Sequence, residues 1–189
     1  PAALELMDQQ VVAAVEPFVH AGYPMDAAAV LIVELDGLPA GIDDQVRRIN
    51  DLARSHGARE VRQAADADER ERIWKGRKSA FGAIANLKPD YYLNDTVIPR
   101  SRLAEVLAGI QEAVDRHDLL IMNVFHAGDG NLHPLIVYDA RDAEETARVL
   151  EVGEEIIRLA IDAGGVLSGE HGIGLEKRRF MGLQFSPED

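Results

Sequence analysis

The sequence predicts an α+β fold in which antiparallel or mixed sheets are covered by helices. Segments with the apolar spacing of amphipathic helices alternate with short β-branched runs, and in the second half they follow the order β-α-β-β-α-β of a ferredoxin-like unit. A chain of 189 residues, 47% hydrophobic and 28% charged, can bury a sizeable core, and no low-complexity linker divides it. We therefore expect tandem ferredoxin-like units.

The first half, about residues 1–88, is predicted to be the less complete unit. Its predicted elements are a helix in residues 2–15, a strand in 28–37, a helix in 43–57, a strand in 58–64 and a long helix in 66–87. Apolar residues recur at helical spacing in the helices, whereas the strand that ends at Gly37 is rich in β-branched residues. Gly76 and Gly82 leave the continuity of the long helix open.

The second half, about residues 89–189, has the clearer pattern. Its predicted elements are a strand in 91–99, a helix in 101–117, strands in 119–127 and 131–138, a helix in 142–164 and a final strand in 165–171. Near the last residue, Ser186 and Pro187 have the residue types of a helix cap and a first helical position. We therefore expect the sequence to be a fragment of a longer polypeptide.

Charge and composition exclude several classes of function. The formal net charge of −13 and the sequence pI of about 4.8 give a field that repels phosphate backbones, so we expect no nucleic-acid partner. The absence of cysteine excludes disulfides, thiolate zinc sites and iron–sulfur ligation. No apolar run approaches the roughly 20 residues that cross a bilayer. We expect a cytoplasmic protein in which any anion-binding site needs its own local cations.

Two histidines flank a predicted turn in the stretch NVFHAGDGNLHPLIVY, residues 123–138. If Asp129 and Gly130 form a type I′ turn, His126 and His133 lie directly opposite, with Cβ atoms about 4.5–5.5 Å apart. Both imidazoles could then bind one ion. The alternative is a surface pair of histidines beside a strong turn, and a longer turn would change the register.

A glycine-rich stretch, residues 164–180, supplies the next candidates. Glu170 and His171 lie among four glycines at the end of a predicted strand, where another group can approach closely. A carboxylate would complete a two-histidine, one-carboxylate site, which suits zinc, manganese or iron(II). His171 would lie beside the ion and be free to take a proton. The alternatives are a glycine-rich turn before a helix, or a phosphate-binding loop at that helix's start.

The stretch RIWKGRKSAF, residues 72–81, contains the candidate anion-binding group. An arginine can hold a carboxylate through two parallel hydrogen bonds, which makes Arg77 a candidate for binding an anionic substrate. The alternative is that Arg77 is solvated on a polar helix. The remaining histidines are predicted to be structural, because they lie before turns or at helix ends; they are His20, His56 and His117.

These motifs together resemble a known family. FHAGDGNLHP and SGEHGIG, with FVHAGYP, WKGRKSAF and DYYLNDTVIPR, closely resemble the C-terminal substrate domain of FAD-linked oxidases. That family includes the flavin subunit of glycolate oxidase and the D-lactate and D-2-hydroxyglutarate dehydrogenases. The resemblance covers nearly the whole chain. It implies an N-terminal FAD-binding domain of the vanillyl-alcohol-oxidase or PCMH type in the same polypeptide, outside these residues. The present domain would cap the flavin and supply the substrate pocket.

The resemblance also implies roles for individual residues. A divalent metal, zinc or manganese, would be held by His126, His133 and Glu170. His171 would be the catalytic base and Arg77 the substrate-binding group that holds the carboxylate. Asn131, in the same element as the two histidines, would be a cofactor-binding residue. The implied reaction is the oxidation of a small 2-hydroxy acid to the 2-oxo acid, in which FAD accepts the hydride.

Two departures from the family's pattern concern the substrate. In the hydroxyglutarate enzymes, an asparagine two residues after the second histidine and a lysine in the strand near Leu93 help to bind substrate. This chain has Leu135 and Leu93 there, which favours a small substrate such as glycolate or D-lactate. The resemblance further implies partner subunits, including an iron–sulfur subunit, through which the protein would associate peripherally with the inner membrane.

Two other functions compete with this interpretation. A metal-dependent hydrolase could use the same ion to activate water, with a glutamate or histidine as base. Ferredoxin-like pairs also serve as non-catalytic ligand-binding or assembly modules, which fold alone does not exclude.

Because the family's closing segment, which helps to complete the flavin site, is expected beyond Asp189, the fragment should be inactive alone.

Overall fold

Seven strands form one antiparallel sheet in the computed structural model, which describes residues 1–189. The strands are β1 (Ala3–Asp8), β2 (Ala29–Glu34), β3 (Asp90–Leu93), β4 (Thr96–Val97), β5 (Leu120–His126), β6 (Asn131–Leu132) and β7 (Pro134–Tyr138). From β2 the sheet continues through β1 to β5. β5 then pairs with β7 over its first four residues and with β6 at its end; β3 lies beyond β7, and β4 lies beyond β6.

Seven α-helices accompany the sheet. They are α1 (Gln9–Val19), α2 (Pro39–Ser55), α3 (Ala67–Lys78), α4 (Ala80–Ile84), α5 (Leu103–Arg116), α6 (Ala143–Asp162) and α7 (Met181–Gln184). Three begin at an aspartate whose carboxylate accepts backbone N–H groups of the first turn, namely Asp8, Asp66 and Asp142. None has both the length and the apolar composition that a membrane-spanning helix needs.

The sheet separates two hydrophobic cores, because successive strand side chains point to opposite faces. On one face, Met122 and Val124 of β5 pack with Leu135 of β7 under α1 and α4. On the other face, Phe125 and Ile136 pack under α5 and α6. Burial of each large apolar side chain stabilises the fold by about 1.5–3 kcal/mol, so both helix layers contribute substantially. The chain is therefore a three-layer α+β domain with a single antiparallel sheet.

The local sequence patterns predicted most of the second half. The strand β5 and the helices α5 and α6 form where they were predicted. The predicted strands in 91–99 and 131–138 also form, but each is split, the second at His133. The three histidines predicted to be structural each follow a helix directly: they are His20 after α1, His56 after α2 and His117 after α5.

The first predicted helix is wrong over half its length. Residues Ala3–Asp8 form β1, and only Gln9–Val19 are helical. β1 has hydrogen-bonded neighbours on both sides, β2 and β5, so its strand conformation is stabilised by contacts that a local helical period does not reveal. Glu5 and Met7 point to the α1 face, while Leu4 and Leu6 pack against the other core.

Three further predictions need correction. Residues 58–64 form no strand, because they are mostly exposed and Arg62 bonds the carbonyls of Ala21 and Gly22. The long helix breaks at Ser79 into α3 and α4. No helix begins at Ser186, whose backbone N–H and hydroxyl both bond the Asp189 carboxylate.

The predicted final strand is also absent. Residues 165–171 make only one isolated bridge to the sheet, between Val166 and Val97. The second unit therefore lacks the last strand of the predicted β-α-β-β-α-β order, and one sheet replaces the expected two. The glycines in this stretch explain the difference, because they favour an irregular path over a strand.

Candidate metal and substrate site

The register of the hairpin differs from the predicted one. His126 pairs with Asn131 rather than with His133, and four residues, 127–130, form the turn. The prediction of a two-residue type I′ turn at Asp129 and Gly130 is therefore wrong. Because the register is displaced by two residues, and strand side chains alternate with a period of two, His126 and His133 remain on the same face. Their ring centroids are 5.3 Å apart.

The strand β4 explains why the turn is longer. Ile98, just after β4, donates its N–H to the carbonyl of Gly130 at 2.9 Å. Gly130 has φ +71°, and a Cβ at this position would overlap the carbonyl oxygen of Ile98. The turn thus depends on a glycine both for its left-handed conformation and for close packing against the neighbouring backbone.

His133 is buried and lacks the hydrogen bonds that a buried imidazole normally makes. Neither ring nitrogen has a hydrogen-bond partner, although Nε2 lies 3.0 Å from Oε1 of Glu170 and 3.6 Å from Oδ1 of Asp95. Burial lowers the pKa of His133, although the Glu170 charge opposes this shift. The lowered pKa favours the neutral imidazole, which is the form that binds metals. Unpaired buried nitrogens are rare in proteins, so an additional partner is expected here.

The side chains of His126, His133 and Glu170 converge at one point. Oε1 of Glu170 lies 3.0 Å from Nε2 of His133 and 3.7 Å from Nε2 of His126, and the three ligand atoms all lie within 4.8 Å of one another. Ligands at about 2.1 Å from a tetrahedral ion are about 3.4 Å apart. The residues therefore fit a divalent ion with one coordination position left open.

A carboxylate contacts the ring of His126, one of the three candidate ligands. Glu5 is its cross-strand partner in β1, and Oε1 of Glu5 lies 2.8 Å from Nδ1 of His126. Oε2 of the same carboxylate accepts a hydrogen bond from Nε of Arg77 at 3.0 Å. Glu5 is not among the predicted site residues, because its segment was predicted to be helical; the signal that could have identified it is a charged residue between the apolar residues Leu4 and Leu6.

Arg77 is buried rather than solvated. Its side chain is 9% exposed, and Nε and Nη2 both contact Glu5, whereas Nη1 has no hydrogen bond. The helix turn that carries Arg77 is fixed by Tyr23, whose ring packs on Gly76 and whose hydroxyl donates to the carbonyl of Ile73. The FVHAGYP and WKGRKSAF motifs thus meet at this point.

A second carboxylate, Asp95, holds the glycine-rich stretch in place. It is completely buried, and the groups that donate to it are the hydroxyl of Ser168 and the backbone N–H groups of Gly169, Glu170 and His171. The ammonium of Lys177 lies 3.5 Å from Oδ2 and donates to the Asp95 carbonyl. Burial alone would raise the pKa of Asp95, but the Ser168 hydroxyl, the His171 N–H and Lys177 outweigh it and hold the pKa well below its usual range.

The other two candidate residues adjoin the same point. The ring of His171 is stacked on that of His133, with centroids 5.3 Å apart and 12° between the planes, and its side chain is half-exposed. The buried amide of Asn131 lies against Gly169, and its Oδ1 has no hydrogen bond. Five of the six predicted site residues therefore lie together, and Arg77 is linked to them through Glu5.

The α+β fold of this chain also occurs in a solved structure of low sequence identity. The solved structure of p-cresol methylhydroxylase with substrate bound has a TM-score of 0.62 over 87% of this chain and 38% of that one, at 16% identity. Because the identity is low, this likeness shows the fold alone. The fold class α+β, with an open antiparallel sheet and helices, is confirmed.

The chain belongs to the family of FAD linked oxidases, as their C-terminal domain, since the model of that family matches residues 1–189. It is 48% identical, over its whole length, to glycolate oxidase subunit GlcD of Escherichia coli K12, of which it covers 38%. It is 27% identical over 94% of its length to the mitochondrial D-lactate dehydrogenase (cytochrome) of Arabidopsis thaliana, covering 31% of that protein. The chain thus spans less than half the length of these relatives.

Proposed function

We propose that this chain is the substrate- and metal-binding domain of an FAD-dependent oxidoreductase that oxidises a small 2-hydroxy acid to the 2-oxo acid. One observation carries the proposal: the side chains of His126, His133 and Glu170 converge on one face of the sheet. Membership of the FAD linked oxidase family supports the redox chemistry, and the relatives named for glycolate and D-lactate support the substrate class.

The three converging residues would hold zinc or manganese. When bound there, a divalent ion supplies Lewis acidity that lowers the pKa of a coordinated hydroxyl group. The choice between the two metals is not determined by the donor set, because imidazole and carboxylate suit both. The orphaned nitrogens of His133 support the assignment, because coordination would satisfy a buried group that otherwise has no partner.

The remaining residues would bind and deprotonate the substrate. His171 would take the hydroxyl proton, since its half-exposed imidazole lies next to the ligands. Arg77 would hold the substrate carboxylate through Nη1, the nitrogen that Glu5 leaves free. Asn131 would contact the flavin, because its buried Oδ1 is available to an N–H donor. FAD supplies the two-electron acceptor for the α-hydrogen.

The substrate is proposed to be small, such as glycolate or D-lactate. Leu93 and Leu135 are direct cross-strand partners between β3 and β7, and Leu135 is fully buried in the core. An apolar pair at this place offers no hydrogen bond to a second carboxylate, whose burial without a partner would be unfavourable. A substrate with one carboxylate and a short side chain is therefore favoured.

The domain organisation and partners follow from the same proposal. The two halves, about residues 1–88 and 89–189, share the sheet, and the second carries most of the site. An FAD domain in the same polypeptide would complete the active site. The enzyme would act in the cytoplasm and contact the inner membrane only through partner subunits, including an iron–sulfur subunit.

The metal assignment is tested by elemental analysis and by titration of the chain with zinc and manganese. We expect near-stoichiometric metal in the wild type and its loss in both His126→Ala and His133→Ala. His117→Ala is the matched control, because this histidine follows α5 away from the site and should leave binding unchanged. A wild type that binds neither metal would contradict the assignment.

The reaction is tested with a polypeptide that includes the flavin domain. Glycolate or D-lactate should reduce the flavin under anaerobic conditions, and His171→Ala should slow the reduction at saturating substrate by about 10²–10⁴-fold. Absence of flavin reduction by any small 2-hydroxy acid would overturn the proposed activity. A normal rate in His171→Ala would assign the proton transfer to another residue.

A further inference from the structure

Glu5 bonds a candidate metal ligand and the candidate substrate-binding arginine at the same time. One oxygen lies 2.8 Å from Nδ1 of His126; the other accepts from Nε of Arg77 at 3.0 Å and lies 2.9 Å from its Nη2. The carboxylate side chain is only 9% exposed, so water hardly competes for these contacts. The positive charge of Arg77 balances the buried carboxylate, which would otherwise be costly to bury.

We propose that Glu5 is a positioning residue that fixes the ring tautomer of His126 and the guanidinium orientation of Arg77 with one carboxylate. An Nδ1–H that donates to Glu5 leaves the lone pair of the ring on Nε2, the atom that faces Glu170 at 3.7 Å. The inference rests on the proposed function, because it concerns the support of the same metal ligand and the same arginine.

Only a side chain with two acceptor atoms satisfies both neighbours of Glu5. His126 presents an Nδ1–H and Arg77 presents two N–H groups, so both are donors. An amide of the same size has one acceptor and one donor, and it therefore opposes a donor on one side. Glu5→Gln keeps the shape of the side chain and removes one of the two links, whereas Glu5→Ala removes both.

Glu34 provides a matched control in the same architecture. It lies in β2, and its carboxylate bonds α3 through Arg70 at 2.6 Å and through the indole of Trp74. Glu5 likewise joins a strand to α3, but Glu34 contacts no histidine. Glu34→Gln therefore reports the loss of a contact between the sheet and α3 without any loss of imidazole orientation.

The first experiment measures the tautomer directly, by ¹⁵N NMR of the metal-free chain at about pH 8, above the usual histidine pKa of about 6.5. His126 should carry its proton on Nδ1 in the wild type and in Glu34→Gln, and should become a mixture of tautomers in Glu5→Gln. The exchange-protected Nε–H resonance of Arg77 should be lost in Glu5→Ala but kept in Glu34→Gln. An Nε2–H tautomer of His126 in the wild type would overturn the proposal.

The second experiment is a zinc titration of the same variants, with circular dichroism to verify folding. Removal of the carboxylate that hydrogen-bonds a metal-bound histidine lowers metal affinity about 10–100-fold. We therefore expect zinc affinity to fall by this factor in Glu5→Gln and to stay unchanged in Glu34→Gln. Equal affinities in the two variants would overturn the positioning role. If the wild type binds no metal, the proposed metal site fails, while the NMR result still decides the role of Glu5.

Discussion

The hairpin that carries His126 and His133 and the glycine-rich stretch that carries Glu170 hold their candidate ligands in different ways. His126 is the last residue of β5 and His133 lies between β6 and β7, in a seven-stranded sheet whose pairing with β1 and β4 fixes the neighbouring backbone. The stretch 165–171 has only one bridge to the sheet, and its backbone N–H groups converge on Asp95. The candidate ligands of the hairpin are thus positioned by backbone pairing with several strands, and the candidate ligand of the stretch is positioned by one buried side chain, Asp95.

This difference extends to the exposure of the ligands. The side chain of His133 is 4% exposed, whereas that of Glu170 is 51% exposed. Buried ring nitrogens without hydrogen bonds lower the free energy of unfolding, whereas an exposed carboxylate is solvated by water when no ion is present. We therefore expect substitutions that disturb the support of the stretch to have large effects, and substitutions of its exposed ligand to have small effects on stability.

The largest effect is expected for Asp95→Ala. The substitution would leave the Ser168 hydroxyl and several backbone N–H groups without their acceptor, and it would remove the carboxylate that faces the buried ammonium of Lys177. Removal of one partner of a buried ion pair costs about 3–5 kcal/mol in the free energy of unfolding, measurable by chemical denaturation. Asp26→Ala is the control, because its ion pair with Arg59 is exposed to solvent and should contribute little to stability. Equal losses in the two variants would show that Asp95 does not support the stretch.

A pair of glycine substitutions compares the two regions directly. Gly130→Ala in the hairpin adds a Cβ that overlaps the Ile98 carbonyl at a residue with φ +71°, so we expect a loss of about 2–4 kcal/mol. Gly172 in the glycine-rich stretch has φ +80°, but a Cβ added there would meet no other atom. For Gly172→Ala we therefore expect a loss of only about 1–2 kcal/mol in the free energy of unfolding. Thermal or urea denaturation measures both, and a larger loss in Gly172→Ala would contradict the comparison.

The pH dependence of stability should also reveal Asp95. Because its pKa is lowered in the folded state, Asp95 contributes fully above the unfolded-state pKa of about 4, and the contribution is lost as the pH falls through the lower folded pKa. Asp95→Asn lacks this contribution of about 1.5–3 kcal/mol. The difference in unfolding free energy between wild type and Asp95→Asn should therefore narrow below about pH 4. A difference that stays constant or widens there would assign the effect to other groups.

The fold was predictable where structure depends on local sequence. The helix α6 and the strand β5 form where their periodic patterns predict them. β1 was missed, because four apolar residues in a six-residue segment fit either period and its strand conformation depends on pairing with two distant strands. Residues 165–171 of the glycine-rich stretch were assigned to a strand, but their path depends on hydrogen bonds to Asp95, which lies between β3 and β4.

The convergence of the candidate ligands was predictable from the sequence, but the residues that support them were not. His126, His133 and Glu170 have residue types that bind metals, so the sequence alone indicated them. Glu5 and Asp95 are also carboxylates, but the sequence does not indicate what they bond, because their partners lie far away in sequence: Glu5 is 72 positions from Arg77, and Asp95 is 76 positions from His171. The predicted register failed for the same reason, since β4, which packs on the turn, comes from another part of the chain.

The smallest effect on stability is expected for Glu170→Gln. The substitution removes the charge from a half-exposed carboxylate, while the backbone N–H of Glu170 keeps its hydrogen bond to Asp95. The free energy of unfolding without metal should therefore change by no more than about 0.5 kcal/mol, as for other surface substitutions. Zinc binding, measured on the same sample, should be lost or strongly weakened, because an amide is a poor replacement for a carboxylate ligand. A loss of stability as large as that of Asp95→Ala would show that Glu170 itself holds the stretch in place, and the distinction between ligand and support would then fail.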